Sequence, residues 1–426
     1  MKSIGKLLIL IVIITGAIGV GYLFGTKKAT VTQKTTPQNI YTVFLSEVYD
    51  KVKENYWEKI ADEQLINLYI LGTEKLTGQV IPNKPKNKTE LETLMTKTVD
   101  NIADQQKKKE FTAGLADIVL ANLQPFSRSR LYSQKMETDL KNTVENRDTT
   151  VDLYKILDST KSAKPEELKQ AYEKKTAELK QDKTPEGAQK LAQVERAHTV
   201  LTDPGSRSVY DQNGVEPTII TKLIRPEIFY MHLTKFSPTT MDELVRVTKN
   251  VDQGDKLDTL ILDLRGNIGG AIDGLPYFLG PFIGNDQYAY QFMHQGEKTD
   301  YKTKMGWLPS LIRYKKVVIL INEQSQSTAE VMATSLKKYN VGVFLGNTTK
   351  GWGTIEKVFP LQTQIDPKET YSLFLVHTIT LRDDGLPIEG KGVDPNINIK
   401  DPNWEKELYA RFRYPDLTEA IKEIVK

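Results

Sequence analysis

The sequence predicts an α/β (α+β) fold whose core holds a mixed sheet, preceded by a largely helical half. Two observations point there. After Pro217 the runs IFYMHLTKF, TLILDLRG, KVVILIN, VGVFLGN and YSLFLVHTITL are rich in β-branched and aromatic residues, as strands are. Between several of them lie amphipathic stretches, MDELVRVTKNV, AIDGLPYFLGPFI and STAEVMATSLKKY, and that alternation argues for a largely parallel or mixed sheet. Before Pro217 the apolar spacing is helical almost throughout. The 426 residues leave room for two or three domains.

The elements follow in order. Lys2 and Lys6 precede nineteen uncharged residues, Leu7 to Gly25, and Lys27 and Lys28 follow them. At about 1.5 Å per residue a helix of that length reaches across a bilayer's hydrocarbon core. A single transmembrane helix, left uncleaved, is the expectation; a cleaved signal peptide is the competing reading, but no clear small-x-small site precedes Thr26. Lysines at both ends leave orientation undecided by charge, and the remaining chain is expected on one side of the membrane. A polar tether leads to a helical region: Val43, Phe44, Val48, Val52 and Tyr56 share a face, Leu65, Leu68, Ile70 and Leu71 continue it, and helices resume through Leu91 to Leu123, stopping at Gln124-Pro125. From Val151 to Gly214 lies a compact all-α unit in which Leu168, Tyr172 and Leu179 line one helix and Leu191, Val194, Ala197 and Leu201 the next. The expected division is 1–28 anchor, 29–149 tether and helical region, 150–214 helical unit, and 215–426 core.

Composition narrows the chemistry. Net charge is +3 with both signs interspersed, so nucleic acid is not an expected partner. Cysteine is absent, which removes disulfides and thiolate catalysis, and the four histidines form no metal-ligand spacing. The glycine run Arg265 to Gly270 lacks both the GxGxxG spacing and a phosphate-loop lysine. No metal and no cofactor is expected.

Several ordered motifs carry a resemblance. LILDLRGNIGG, NEQSQSTAEVMATSL, VFLGNTTKGWG and GKGVDPNI are similar to the strand and glycine turn, nucleophile segment, lysine loop and closing motif of the tail-specific, or C-terminal processing, serine peptidases (S41-like). LADIVLANLQPFSRSRLY resembles the family's helical approach segment, with Gln124 in place of an aspartate. The resemblance implies a Ser/Lys dyad acting on polypeptides, C-terminal tails among them. In the family a neutral lysine takes the serine proton, and backbone N–H groups hold the oxyanion. By motif position the nucleophile is Ser327, and Thr328 with Gly269 or Gly270 forms the oxyanion hole. On its own residues Ser327 also reads as a helix N-cap, with Glu330 completing a capping box.

The lysine is missing. Between Gly351 and Gly353, where the family places it, stands Trp352, whose indole N–H can only donate. A glutamine that assists the dyad in part of the family maps onto Glu356. Lys350 is the better candidate for a displaced base, with Lys357 and His377 as others. Loss of a positioned base costs about 100- to 10,000-fold in rate. Two readings therefore stand: a membrane-anchored extracytoplasmic peptidase impaired at its base, or a pseudopeptidase that binds polypeptides without cutting them.

The helical unit is also similar to a known module. DLYKILDSTKSAKPEELKQAYEKK and ERAHTVLTDPGSRSVYDQNG resemble the helices of a J-domain (DnaJ-like), standing where the peptidase family usually carries a PDZ domain. The family's His-Pro-Asp tripeptide is here Lys180-Gln181-Asp182. Stimulation of Hsp70 is accordingly not expected, and the unit reads as a spacer or peptide-docking arm.

Overall fold

A computed structural model of the chain describes residues 39–148, 150–182, 184–251 and 257–425. The predicted anchor, Leu7 to Gly25, lies outside them, and among the described residues no helix is long and apolar enough to cross a membrane.

The described chain opens with α1 (Ile40–Asn55), α2 (Asp62–Thr77), α3 (Lys88–Asp100) and α4 (Gln105–Ala121). Three of them start on a side-chain cap: Asn39, Asn87 and Asp104 accept from the N–H groups of Tyr41, Glu90 and Lys107. Their inner faces bury Phe44, Val48, Tyr69 and Leu115 completely. A short strand, β1 (Arg130–Ser133), and a helix with no fully buried residue, α5 (Gln134–Val144), lead on.

The all-α unit comprises α6 (Leu153–Ile156), α7 (Pro165–Leu179), α8 (Pro185–Thr202) and α9 (Pro204–Asn213). Proline opens the last three, where its missing N–H costs nothing. Leu153, Leu157, Leu168, Val194, Ala197 and Leu201 form its own small core. The chain enters and leaves this unit through a neck: Arg147 bridges antiparallel to Val215, and the Glu216 N–H donates to the Asn146 carbonyl at 3.1 Å. Arg196 clamps Glu216 with two donors, the Nε contact at 2.5 Å, and Arg246 reaches Asp203 at 2.5 Å.

The rest is two sheets rather than the single one expected. The first has the order β11-β8-β7-β4-β3-β2. Its strands are β2 (Ile219–Arg225), β3 (Ile228–Leu233), β4 (Thr259–Asp263), β7 (Lys316–Ile321), β8 (Val343–Gly346) and β11 (Ile397–Asn398). All neighbours run parallel except β2, which is antiparallel to β3. Helices cover both faces, which is why β4 is buried along its length. Leu260, Leu262, Ile319 and Ile321 pack toward α11 (Leu275–Ile283) and α13 (Thr328–Lys338), with α10 (Thr240–Asn250) and α12 (Pro309–Ile312) alongside. Ile261, Val318 and Leu320 pack toward α14 (Trp404–Phe412) and α15 (Pro415–Val425).

The second sheet is antiparallel, ordered β1-β10-β5-β6 with β9 also on β10. It contains β5 (Tyr288–His294), β6 (Glu297–Lys302), β9 (Thr354–Pro360) and β10 (Tyr371–Leu381). The run YSLFLVHTITL was expected in the α/β sheet; it is β10, and its apolar side meets the N-terminal helices instead. Leu373, Leu375, Val376 and Ile379 share one core with Phe44, Leu65 and Leu120. β5 and β6 are joined by Gln295 and Gly296, both at positive φ, the two-residue turn that matches strand twist.

Candidate active site

Two turns from neighbouring strands of the first sheet come together at its C-terminal edge. After β4 the chain turns through Gly266 to Gly270; after β7 it turns through Asn322 to Ser327 into α13. Side-chain and backbone bonds lock them: Ser325 Oγ donates to the Leu264 carbonyl at 2.7 Å, the Gly266 N–H to Asn322 Oδ1 at 3.0 Å, and the Gln326 N–H to the Asn267 carbonyl at 2.9 Å. At their contact sits Gly269, where an added Cβ would fall 2.6 Å from the Ser327 Cβ and 3.0 Å from its Oγ. No residue but glycine fits there.

Ser327 has φ 57° and ψ −125°, a strained conformation for a residue with a side chain. Half of the expected capping box is present. The Ser327 N–H donates to Glu330 Oε2 at 2.9 Å, but the hydroxyl caps nothing and has no partner among the described residues. The hydroxyl is left facing a cavity of about 280 Å³.

The three expected oxyanion donors are not equivalent. The Gly269 N–H is committed to Asn267 Oδ1 at 2.8 Å. Gly270 bridges in parallel to Phe236, which uses the Gly269 carbonyl and the Ala271 N–H and leaves the Gly270 N–H without a partner among the described residues. The Thr328 N–H is likewise without a partner among the described residues.

Trp352 enters the same cavity from the loop before β9. Its backbone N–H donates to Glu330 Oε2 at 2.8 Å, and its indole Nε1–H points to Glu356 Oε1 at 3.4 Å. The Arg128 guanidinium stacks 3.5 Å from the ring centroid and is held by Glu389 at 2.9 Å and Thr354 at 3.1 Å. Glu356 also accepts from the Thr354 hydroxyl at 2.6 Å; burial pushes its carboxyl above the usual range, against the pull of those donors and of Arg128.

The candidate replacement bases do not assemble with Ser327. Lys350 is exposed, with its Nζ 4.8 Å from the Trp352 ring centroid rather than at the hydroxyl. Lys357 is exposed on β9. His377 lies on β10, bonded through Nδ1 to the Asn55 carbonyl at 2.8 Å and packed 4.3 Å from His294. Lys180, Gln181 and Asp182 are exposed between α7 and α8 and line none of this cavity. Asp182 there closes a local turn, accepting from the Thr184 N–H and hydroxyl at 3.0 and 2.6 Å.

Sequence reasoning missed three contributors. Glu330 is fully buried and its carboxylate gathers four donors: the Thr349 hydroxyl at 2.5 Å and the N–H groups of Gly351, Trp352 and Ser327. It fastens the Trp352 loop to the nucleophile turn, although burial raises its carboxyl pKa against those donors. Arg128 follows the Gln124-Pro125-Phe126-Ser127 element directly. Lys235, two residues past β3, lines the cavity with its Nζ on the Thr143 carbonyl at 2.7 Å, and burial lowers its ammonium pKa. The only local signal for Glu330 was the capping box; the other two emerge from the folding of distant segments.

With this geometry in place, comparison with known proteins is informative. Residues 227–399 match the model of peptidase family S41, and residues 152–211 match the DnaJ domain. A carboxy-terminal-processing protease of Bartonella bacilliformis is 26% identical over 187 residues, 43% of this chain and 41% of that protein. The carboxy-terminal processing protease CtpB of Bacillus subtilis is 26% identical over 201 residues, 46% of this chain and 39% of that protein. The matched region is thus less than half the length of either relative. Among solved structures, a photosystem II D1 C-terminal processing protease superposes with a TM-score of 0.48 at 16% identity, covering 84% of this chain and 93% of that one. The chain carries an S41-like peptidase core with a DnaJ-like domain placed ahead of it.

Proposed function

We propose that this chain is a membrane-anchored, extracytoplasmic homologue of the tail-specific serine peptidases that engages polypeptide in its cleft and is catalytically impaired. The observation that carries the reading is Trp352, whose indole sits beside Glu356 while the Ser327 hydroxyl has no acceptor among the described residues. A serine hydroxyl attacks a carbonyl only if a nearby group accepts its proton, and an indole cannot. Lys235 shares the cavity, but its ammonium is directed to the Thr143 carbonyl. What remains in the cavity, a strained serine and the Gly270 N–H, suits holding a polypeptide more than cleaving it.

A fluorophosphonate probe tests this. The native protein is expected to stay unlabelled at Ser327 and to leave peptides intact. Trp352→Lys alone is expected to gain little, because Glu356 beside it would stabilise the ammonium and keep the lysine protonated. Trp352→Lys combined with Glu356→Gln removes that charge and is expected to gain measurable hydrolysis, on the order of 100-fold or more over the parent. Hydrolysis by the native protein that disappears in Ser327→Ala would overturn the impaired reading. Protease digestion of the chain on intact cells tests the extracytoplasmic placement, which fails if only lysed cells expose it.

A further inference from the structure

The nucleophile turn uses one end of the first sheet, where its parallel strands finish. At the other end, where they begin, lies a groove of about 330 Å³. Leu260 and Val317 are the second residues of β4 and β7, and Val341 comes two before β8; all three line it. Every residue lining the groove is aliphatic or aromatic. Its buried members include Leu260, Ile283, Leu311 and Tyr314, whereas Trp307 is 64% exposed and Ile312 52%. These two are held out rather than loose. The Trp307 indole lies over Gly284, where a Cβ would fall 3.1 Å from the ring. The loop that carries it is tied along α11, with the Lys304 N–H on the Pro276 carbonyl at 3.0 Å and the Leu308 N–H on that of Pro281 at 3.2 Å.

The segment bearing these groups is basic. From Thr303 to Asn322 the chain has Lys304, Arg313, Lys315 and Lys316 and no carboxylate. The Lys304 ammonium stands 5.3 Å from the ring centroid of Tyr277, itself exposed, and that of Lys338 stands 4.9 Å from the Tyr288 ring. An aromatic face holds an ammonium without cancelling its charge. Asp258 and Asp286 are taken up by Lys316 and Lys302, while Lys304, Lys315 and Lys338 have no ion pair among the described residues. A protein interface with so apolar a centre is depleted of lysine. Protruding indole and phenol rings among lysines instead match the boundary layer of a bilayer, where amphipathic rings sit at headgroup level and anionic lipid draws cations.

Building on the membrane-anchored reading, we propose that this end of the sheet is a second membrane contact, laid on an anionic phospholipid surface. Trp307 and Ile312 enter the boundary between headgroups and acyl chains, Lys304, Lys315 and Lys338 meet the phosphates, and the groove receives part of an acyl chain. The strands then stand between bilayer and cleft. Their length, roughly 17–20 Å, separates the contact from Ser327 and leaves the cleft open to polypeptide in water.

The chain has no cysteine, so Ile312→Cys accepts a single environment-sensitive NBD label. The labelled full chain is reconstituted in vesicles of phosphatidylcholine alone or mixed with phosphatidylglycerol. On the mixed vesicles the label is expected to brighten and to be quenched by spin-labelled lipid, while a label at Ile268→Cys, beside the cleft, does neither. Changing Lys304, Lys315 and Lys338 together to Gln is expected to weaken docking on the order of 100-fold, about fivefold for each lysine, and so to remove the signal; an unchanged melting temperature shows that variant folded. A label at 312 that stays dark, that responds equally on pure phosphatidylcholine, or that survives loss of the lysines overturns the proposal. So does energy transfer between two copies labelled at 312 that persists on dilution with lipid, which would put a second copy on this face. Alkaline carbonate extraction reads the anchor separately: a chain that washes off sinks the anchored reading and leaves the label's answer standing.

Discussion

Glu330 carries more of the site than its place in a helix suggests. Its two oxygens receive the N–H of Ser327, the N–H groups of Gly351 and Trp352, and the Thr349 hydroxyl, and the carboxylate itself is fully buried. A carboxylate is the only side chain that offers acceptors alone on both atoms. Glu330→Gln would turn an amide NH₂ toward donors that cannot give way, even as it relieves the cost of a buried charge. The expected loss is about 2–4 kcal/mol, two charge-assisted bonds at roughly 1.5–3 kcal/mol each less that relief, read as a lower urea midpoint. A midpoint equal to the parent's would show that the four donors find other acceptors. Little of this was legible beforehand. Ser325-Gln326-Ser327-Thr328 and the paired glycines announced the serine and the missing lysine, because those groups are contiguous in sequence. Arg128 and Lys235 were not announced, since nothing local distinguishes a cavity-lining cation from a solvated one.

Among the elements, the J-like unit and the core meet through polar contacts. Arg246 of α10 donates to Asp203 at the cap of α9, and its guanidinium fills the space above Gly205, where a Cβ would lie 2.7 Å from Nη1. Burial pushes the Asp203 carboxyl up, but bonds from Ser206 and Arg246 outweigh it and hold the pKa below the usual value. A depressed carboxylate pKa adds stability that is present above the ordinary range near about pH 4 and lost as pH falls through the folded value. Arg246→Ala at neutral pH, or acidification of the parent below about pH 4, is therefore expected to loosen α9 first. Hydrogen exchange would report faster exchange in α8 and α9 with α13 unchanged; uniform change across the chain would count against a separable contact. The alternation of strands and helices made the parallel sheet readable, because each β-rich run is bounded by turn residues. The antiparallel sheet was not, since β10 pairs with β1 from the far side of the J-like unit and no local pattern encodes that partnership.

At the scale of the molecule, the helical first half and the peptidase-like core are not independent. β10 is hydrogen-bonded to β1 and β9 and buries Leu373, Leu375 and Val376 against α1, α2 and α4. The J-like unit interrupts that body in sequence but not in space. Residues 146 and 147 lie bonded to residues 215 and 216, so the chain departs and returns at a single point. An insert mounted on such a stalk can be parted from both sheets at the cost of a few polar contacts, chiefly those of Arg196 with Glu216 and of Arg246 with Asp203. Excising residues 148–214 and rejoining the ends with a few glycines is thus expected to leave a remainder that still melts cooperatively. A fragment beginning at residue 215 is expected to aggregate on size-exclusion chromatography, its longest strand stripped of the layer that shelters it.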